Sequence, residues 1–66
     1  MDLNAVRMFV AAVQAGSLSA AADRLDMALP TLSRRIRELE AGLNVRLFER
    51  SARGVRLTDA GTRLYE

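Results

Sequence analysis

Three features of the sequence predict a mainly α fold: three helices, a small β-hairpin and the start of a further helix. Apolar residues recur at i, i+3, i+4 and i+7 over residues 3–15, and at i, i+4 and i+7 from Leu32 in the segment 30–41, the spacings of amphipathic helices. Between them, Ala20, Ala21 and Ala22 lead into a short turn. Past Gly42 the apolar period shortens, and Ser51-Ala52-Arg53-Gly54 forms a glycine-containing turn between Leu47 and the pair Val55 and Leu57.

The first helix is expected from Leu3 to Ala15, with Leu3, Val6, Phe9, Val10 and Val13 on its apolar face. Asp2 is a suitable N-cap, and Gly16 suits the left-handed residue that ends a helix. Ser17 or Ser19 caps a short second helix, whose small alanines allow another helix to cross closely. The third helix begins at about Leu29 or Pro30, because proline fits the first turn and the residue before it is biased away from helical angles. It is expected to run to Ala41 and stop at Gly42. Leu32, Ile36, Leu39 and Leu43 form a buried stripe, and Pro30, Ser33, Arg34 and Arg37 lie on the opposite side. The hairpin follows, with Arg50 and Arg56 outward and Phe48 anchoring it, since a ribbon of this size is not stable alone. Thr58 then caps "TDAGTRLYE", with Asp59 at the positive end of that helix. This last segment is still in phase at Glu66, so the chain is expected to be cut inside a longer helix. Residues 1–57 are accordingly read as one domain and residues 58–66 as the start of a linker helix.

A chain of 66 residues has a marginal core, and this one contains neither cysteine nor histidine, so disulfides and Cys/His metal sites are excluded. No cofactor is expected. No run approaches the roughly 20 apolar residues of a membrane span, and the early Asp2 is unlike a secretory signal; a soluble intracellular protein is expected. The formal net charge of +2 is unevenly distributed: residues 31–56 carry seven arginines against three glutamates, while the flanking segments are each slightly acidic. A single positive block is what a polyanion-binding surface requires, and arginine suits bidentate contact with phosphate and guanine. Ser, Asp and Glu sit where caps and solvated faces need them, so an enzyme is not expected.

Three helices and a hairpin, with positive charge on the third helix and the hairpin, describe a winged helix-turn-helix. The major groove, about 12 Å wide, admits one helix, and the wing can reach the adjacent minor groove or backbone. Double-stranded DNA is therefore the expected partner, bound by a recognition helix at about 30–41 and a wing at about 47–57. The alternative is a small interaction module whose arginine face binds an acidic protein.

The segments "MDLNAVRMFVAAVQAGSLSAAADRL", "PTLSRRIRELEAGLNVRLFER" and "GVRLTDAG", in this order and spacing, resemble the N-terminal DNA-binding domain of LysR-type transcriptional regulators. The resemblance covers nearly the whole chain. It implies a cytoplasmic bacterial regulator acting in the nucleoid, pairing as a homodimer or higher oligomer through the linker helix. It also implies a separate C-terminal domain that binds a small-molecule effector. Where the family commonly has Ser-Gln before the proline, this chain has Ala28-Leu29, and neither side chain can cap the helix or hydrogen-bond a base. Leu29 either packs on a thymine methyl or tucks against the domain.

Arg34 is the foremost candidate for base or groove contact, the family match adding to its exposed position; otherwise it would pair with Glu38 four residues on. Arg37 is expected to contact phosphate, with Ser33, Pro30 and Thr31 on the same helix. Arg53 is expected at the wing tip, and Arg50 either touches DNA or braces the hairpin. Ser17 and Ser19 are phosphate candidates, Ser19 equally a cap.

Overall fold

The computed structural model describes residues 2–66. Its elements are α1 (Leu3–Ala15), α2 (Leu18–Leu25), α3 (Leu29–Leu43), β1 (Phe48–Ser51), β2 (Gly54–Leu57) and α4 (Asp59–Tyr65). The winged helix-turn-helix expected from the sequence is formed, and each element has a local cause.

Asp2 accepts a hydrogen bond from the Asn4 amide to start α1, and Gly16 ends it at φ 81°. Ser17, not Ser19, caps α2 by accepting from the Ala20 amide; Ser19 is exposed. Asp26 closes α2 in the left-handed region, and the chain turns within a few residues into α3. Ala21 and Ala22 are buried where the helices converge, in keeping with the close approach their size permits.

Two sequence expectations are corrected in the helices. Leu3 is 75% exposed, whereas Ala5, Phe9 and Ala12 are the buried residues of α1 and Val6, Val10 and Val13 pack against the core partly buried. In the first turn nothing among the described residues covers Leu3. Second, α3 does not stop at Gly42. It continues to Leu43 and ends at Asn44, whose φ is 57°. Asparagine tolerates the left-handed conformation, and the extra residues let Leu43 pack against the core.

The core joins Ala5, Phe9, Ala12, Ala21, Ala22, Leu32, Ile36, Leu39, Leu47 and Phe48. Phe48 is the hairpin anchor the sequence suggested, its ring centroid 5.2 Å from that of Phe9. Tyr65 of α4 presents an edge to Phe9 at 6.5 Å, which seats the last helix on the same aromatic centre.

The antiparallel register pairs Phe48 with Leu57, Glu49 with Arg56 and Arg50 with Val55. Because side chains alternate, Arg50 shares the inward face with Phe48, and Arg56 points the other way beside Glu49. Arg50 is half-buried, so the expectation that both arginines point outward holds only for Arg56.

Candidate nucleic-acid interface

The stripe Leu32, Ile36 and Leu39 faces inward, which forces Pro30, Arg34 and Arg37 into solvent on the far side of α3. Arg34 and Glu38 form no ion pair; among the described residues the one ion pair joins Arg35 to Asp2, at 3.8 Å. Arg35 thus belongs to the α1 flank of α3, and Arg34 and Arg37 keep their guanidinium groups free on the exposed face. Thr31 is half-buried and lies round the helix from Leu29 and Ser33.

Ser17, Ser19, Leu29, Ser33, Arg50 and Arg53 come together along a cleft of about 440 Å³ between the α2 N-terminus, the first turns of α3 and the hairpin tip. The hairpin reaches this position through the Val55 amide, which donates to the Gly16 carbonyl at 3.4 Å. Gly54 makes the approach possible. Its φ is 116°, and a Cβ there would collide with the same Gly16 carbonyl oxygen. At the tip, the Arg53 amide donates to the Ser51 hydroxyl, and the Arg53 side chain is exposed.

Arg50 and Ser33, each predicted separately as a ligand-contacting residue, touch one another. The Arg50 Nη1 donates to Ser33 Oγ at 2.9 Å. Arg50 Nη2 is buried without a hydrogen-bond partner. Arg50 therefore ties the wing to α3 at their seam. It also borders two neighbouring clefts, one with Arg37, Glu40 and Arg46, the other with Arg46, Glu49 and Thr58. Arg37, Arg46, Arg50 and Arg53 are in this way connected on the α3–wing side.

Glu40 is a structural residue that sequence reasoning missed. Its Oε2 accepts from the backbone amides of Leu47 at 2.8 Å and Phe48 at 3.3 Å. It fixes the entry of the chain into β1. The available signal was its place on the Ser33 flank of α3, the side the hairpin must cover. Thr58 secures the other end: its hydroxyl donates to the Arg46 carbonyl and accepts from the Gly61 amide.

The surface combines one braced and several exposed guanidinium groups, hydroxyls and one exposed leucine on a helix and hairpin held against each other. Chemically it can donate hydrogen bonds to anionic oxygens and to base acceptors. Among the described residues no helix is long and apolar enough to cross a membrane.

Comparison with known proteins agrees with this geometry. The chain is 50% identical over 66 residues to the HTH-type transcriptional regulator TfdS of Cupriavidus pinatubonensis, covering 100% of this chain and 22% of that protein. The crystal structure of the CbnR_DBD–DNA complex superposes with a TM-score of 0.95 at 42% identity, covering 98% of this chain and 75% of that one. The BenM_DBD/benA site 1 DNA complex gives a TM-score of 0.92 at 45% identity, covering 98% and 76%. The chain thus spans about a fifth of the length of TfdS and most of the length of the two DNA-bound chains. The family model for the bacterial regulatory helix-turn-helix protein, lysR family, matches residues 3–62, and the chain belongs to that family.

Proposed function

We propose that this chain binds double-stranded DNA sequence-specifically as part of a bacterial LysR-type transcriptional regulator. In this reading α3 enters the major groove and the hairpin lies at the adjacent minor groove or backbone. The observation that carries it is the exposed Arg34–Arg37 face of α3 continuing through the seam arginine, Arg50, to Arg53 at the wing tip. The DNA-bound relatives of the same fold support it.

Arg34 contacts base edges. Arg37 and Arg53 contact the backbone or, for Arg53, the minor groove, where negative potential favours arginine. In the same reading Ser17, Ser19, Pro30, Thr31 and Ser33 contact the flanking phosphates. Residues 1–57 make up the DNA-binding domain, and residues 58–66 begin a linker helix through which two copies pair. Effector recognition belongs to a separate C-terminal domain of the full-length regulator. The protein has a regulatory rather than catalytic role and acts in the bacterial cytoplasm.

Selection of bound duplexes from a random-sequence pool tests the reading. Enrichment of a defined sequence, with binding that weakens as salt rises and resists competition by polyglutamate, is the expected result. Retention of no duplex, together with salt-sensitive binding to polyglutamate, would instead identify an acidic-protein partner.

A further inference from the structure

Leu29 is the first residue of α3 and is 42% exposed. The other large exposed hydrophobics stand elsewhere: Leu3 on α1, Leu25 at the end of α2, Val45 in the loop before β1 and Tyr65 at the end of α4. Leu29 alone belongs to the helix that presents Arg34 and Arg37. Its neighbours leave the leading edge without polar side chains. Ala28 is the N-cap and makes no side-chain hydrogen bond, Met27 packs on the core, and Pro30 follows exposed. Leu29 is therefore only partly covered by the domain. It borders the cleft shared with Ser33 and the wing tip, and a large part of its apolar surface remains in water.

Burying that surface is favourable only against another apolar group. On a helix that enters a major groove, the N-terminal residues face base edges. Those edges offer hydrogen-bond donors, acceptors and one apolar group, the 5-methyl of thymine. A leucine at this position has nothing to exchange with the donors and acceptors, and leaves them desolvated if it covers them. We infer that Leu29 is a specificity-determining residue that packs on a thymine 5-methyl group. The inference rests on the DNA-binding reading and deepens it by naming the chemical group that the leading edge recognises. A thymine contact at this end of α3 also leaves the guanidinium of Arg34 to read the neighbouring pair, so the two residues divide one short stretch of the site between apolar and polar recognition.

The test replaces each thymine of a selected duplex, one at a time, with deoxyuridine, which removes only the methyl group. Affinities are measured by fluorescence anisotropy for the wild type, Leu29→Ala and Leu29→Met, with circular dichroism confirming that each is folded. For the wild type, one thymine in the site shows a loss of about fourfold, the transfer free energy of a single methyl-sized group. Leu29→Ala loses that sensitivity and Leu29→Met, which keeps a long apolar side chain, retains it. Uracil profiles that are flat in the wild type, or the same in the wild type and Leu29→Ala, overturn the inference and leave the DNA-binding reading intact. A wild-type protein that enriches no duplex overturns both.

Discussion

Arg34 and Arg50 are both arginines on the α3–wing side, yet their surroundings give them different work. Arg34 is exposed and unpaired among the described residues, so its guanidinium is available to a partner without breaking an internal contact. Replacing it with alanine is expected to relax base preference at the contacted position and cost about 1–3 kcal/mol of binding at the selected site, with no change in thermal stability. Competitive binding across single-base variants of the duplex measures the first effect, and a melting curve the second. Arg50 is already engaged with Ser33, so Arg50→Ala is expected to lower folding stability by about 1 kcal/mol as well as weaken DNA binding. Urea unfolding checks this, and an unchanged midpoint would remove the bracing role. The Arg50 contact was legible in part: two-residue alternation from Phe48 predicts that Arg50 faces inward, but the similarity of Arg50 and Arg56 in sequence obscured their opposite parity. That Ser33 would be the acceptor was not legible, because the angle between the hairpin and α3 is set by packing rather than by either segment alone.

The elements are held at their junctions by backbone contacts that periodicity does not reveal. Apolar spacing located α1 and α3, capping residues marked the starts of α2 and α4, and the Asp2, Ser17 and Thr58 caps follow from local chemistry. The end of α3 was misjudged because Gly42 and Asn44 are both plausible stops, and burial of Leu43 decides between them. Glu40 was hidden for a related reason: its partners, the Leu47 and Phe48 amides, become neighbours only once the chain doubles back after Asn44. Removing its carboxylate leaves those part-buried amides without their acceptor, so Glu40→Ala is expected to destabilise the fold by about 2–3 kcal/mol. Glu40→Gln, which keeps a carbonyl oxygen, loses less, and amide hydrogen exchange at residues 47 and 48 should report the local release. Gly61 tests the opposite end of the hairpin. A Cβ there would meet the Leu47 carbonyl oxygen and the Leu57 side chain, so Gly61→Ala is expected to push α4 off the hairpin and lower stability by about 1–3 kcal/mol despite alanine's better helix propensity.

At the scale of the whole molecule, the position of positive charge matters more than its total. The longest dimension is 25 Å, less than one duplex turn of about 34–36 Å, so α3 and the wing of one copy reach no more than a half-site. Within that reach the arginine block is divided. Arg35 faces Asp2 on the α1 flank, whereas Arg37, Arg50 and Arg53 border the connected clefts beside the wing. The division predicts unequal salt dependence. Each phosphate contact releases condensed counterions, so losing one should reduce the slope of log K against log[salt] by about 0.9. Arg53→Ala removes an exposed side chain at the tip without touching the Gly16–Val55 dock, and is expected to flatten the slope by that amount on specific and random duplexes alike. Arg35→Ala removes an equal formal charge from the other flank and is expected to leave the slope almost unchanged, with any effect confined to its exposed pairing with Asp2. Titrations of both variants between low and moderate salt separate the cases. Equal flattening by the two substitutions would mean that DNA senses net charge rather than the α3–wing surface, and the orientation of α3 in the groove would have to be revised.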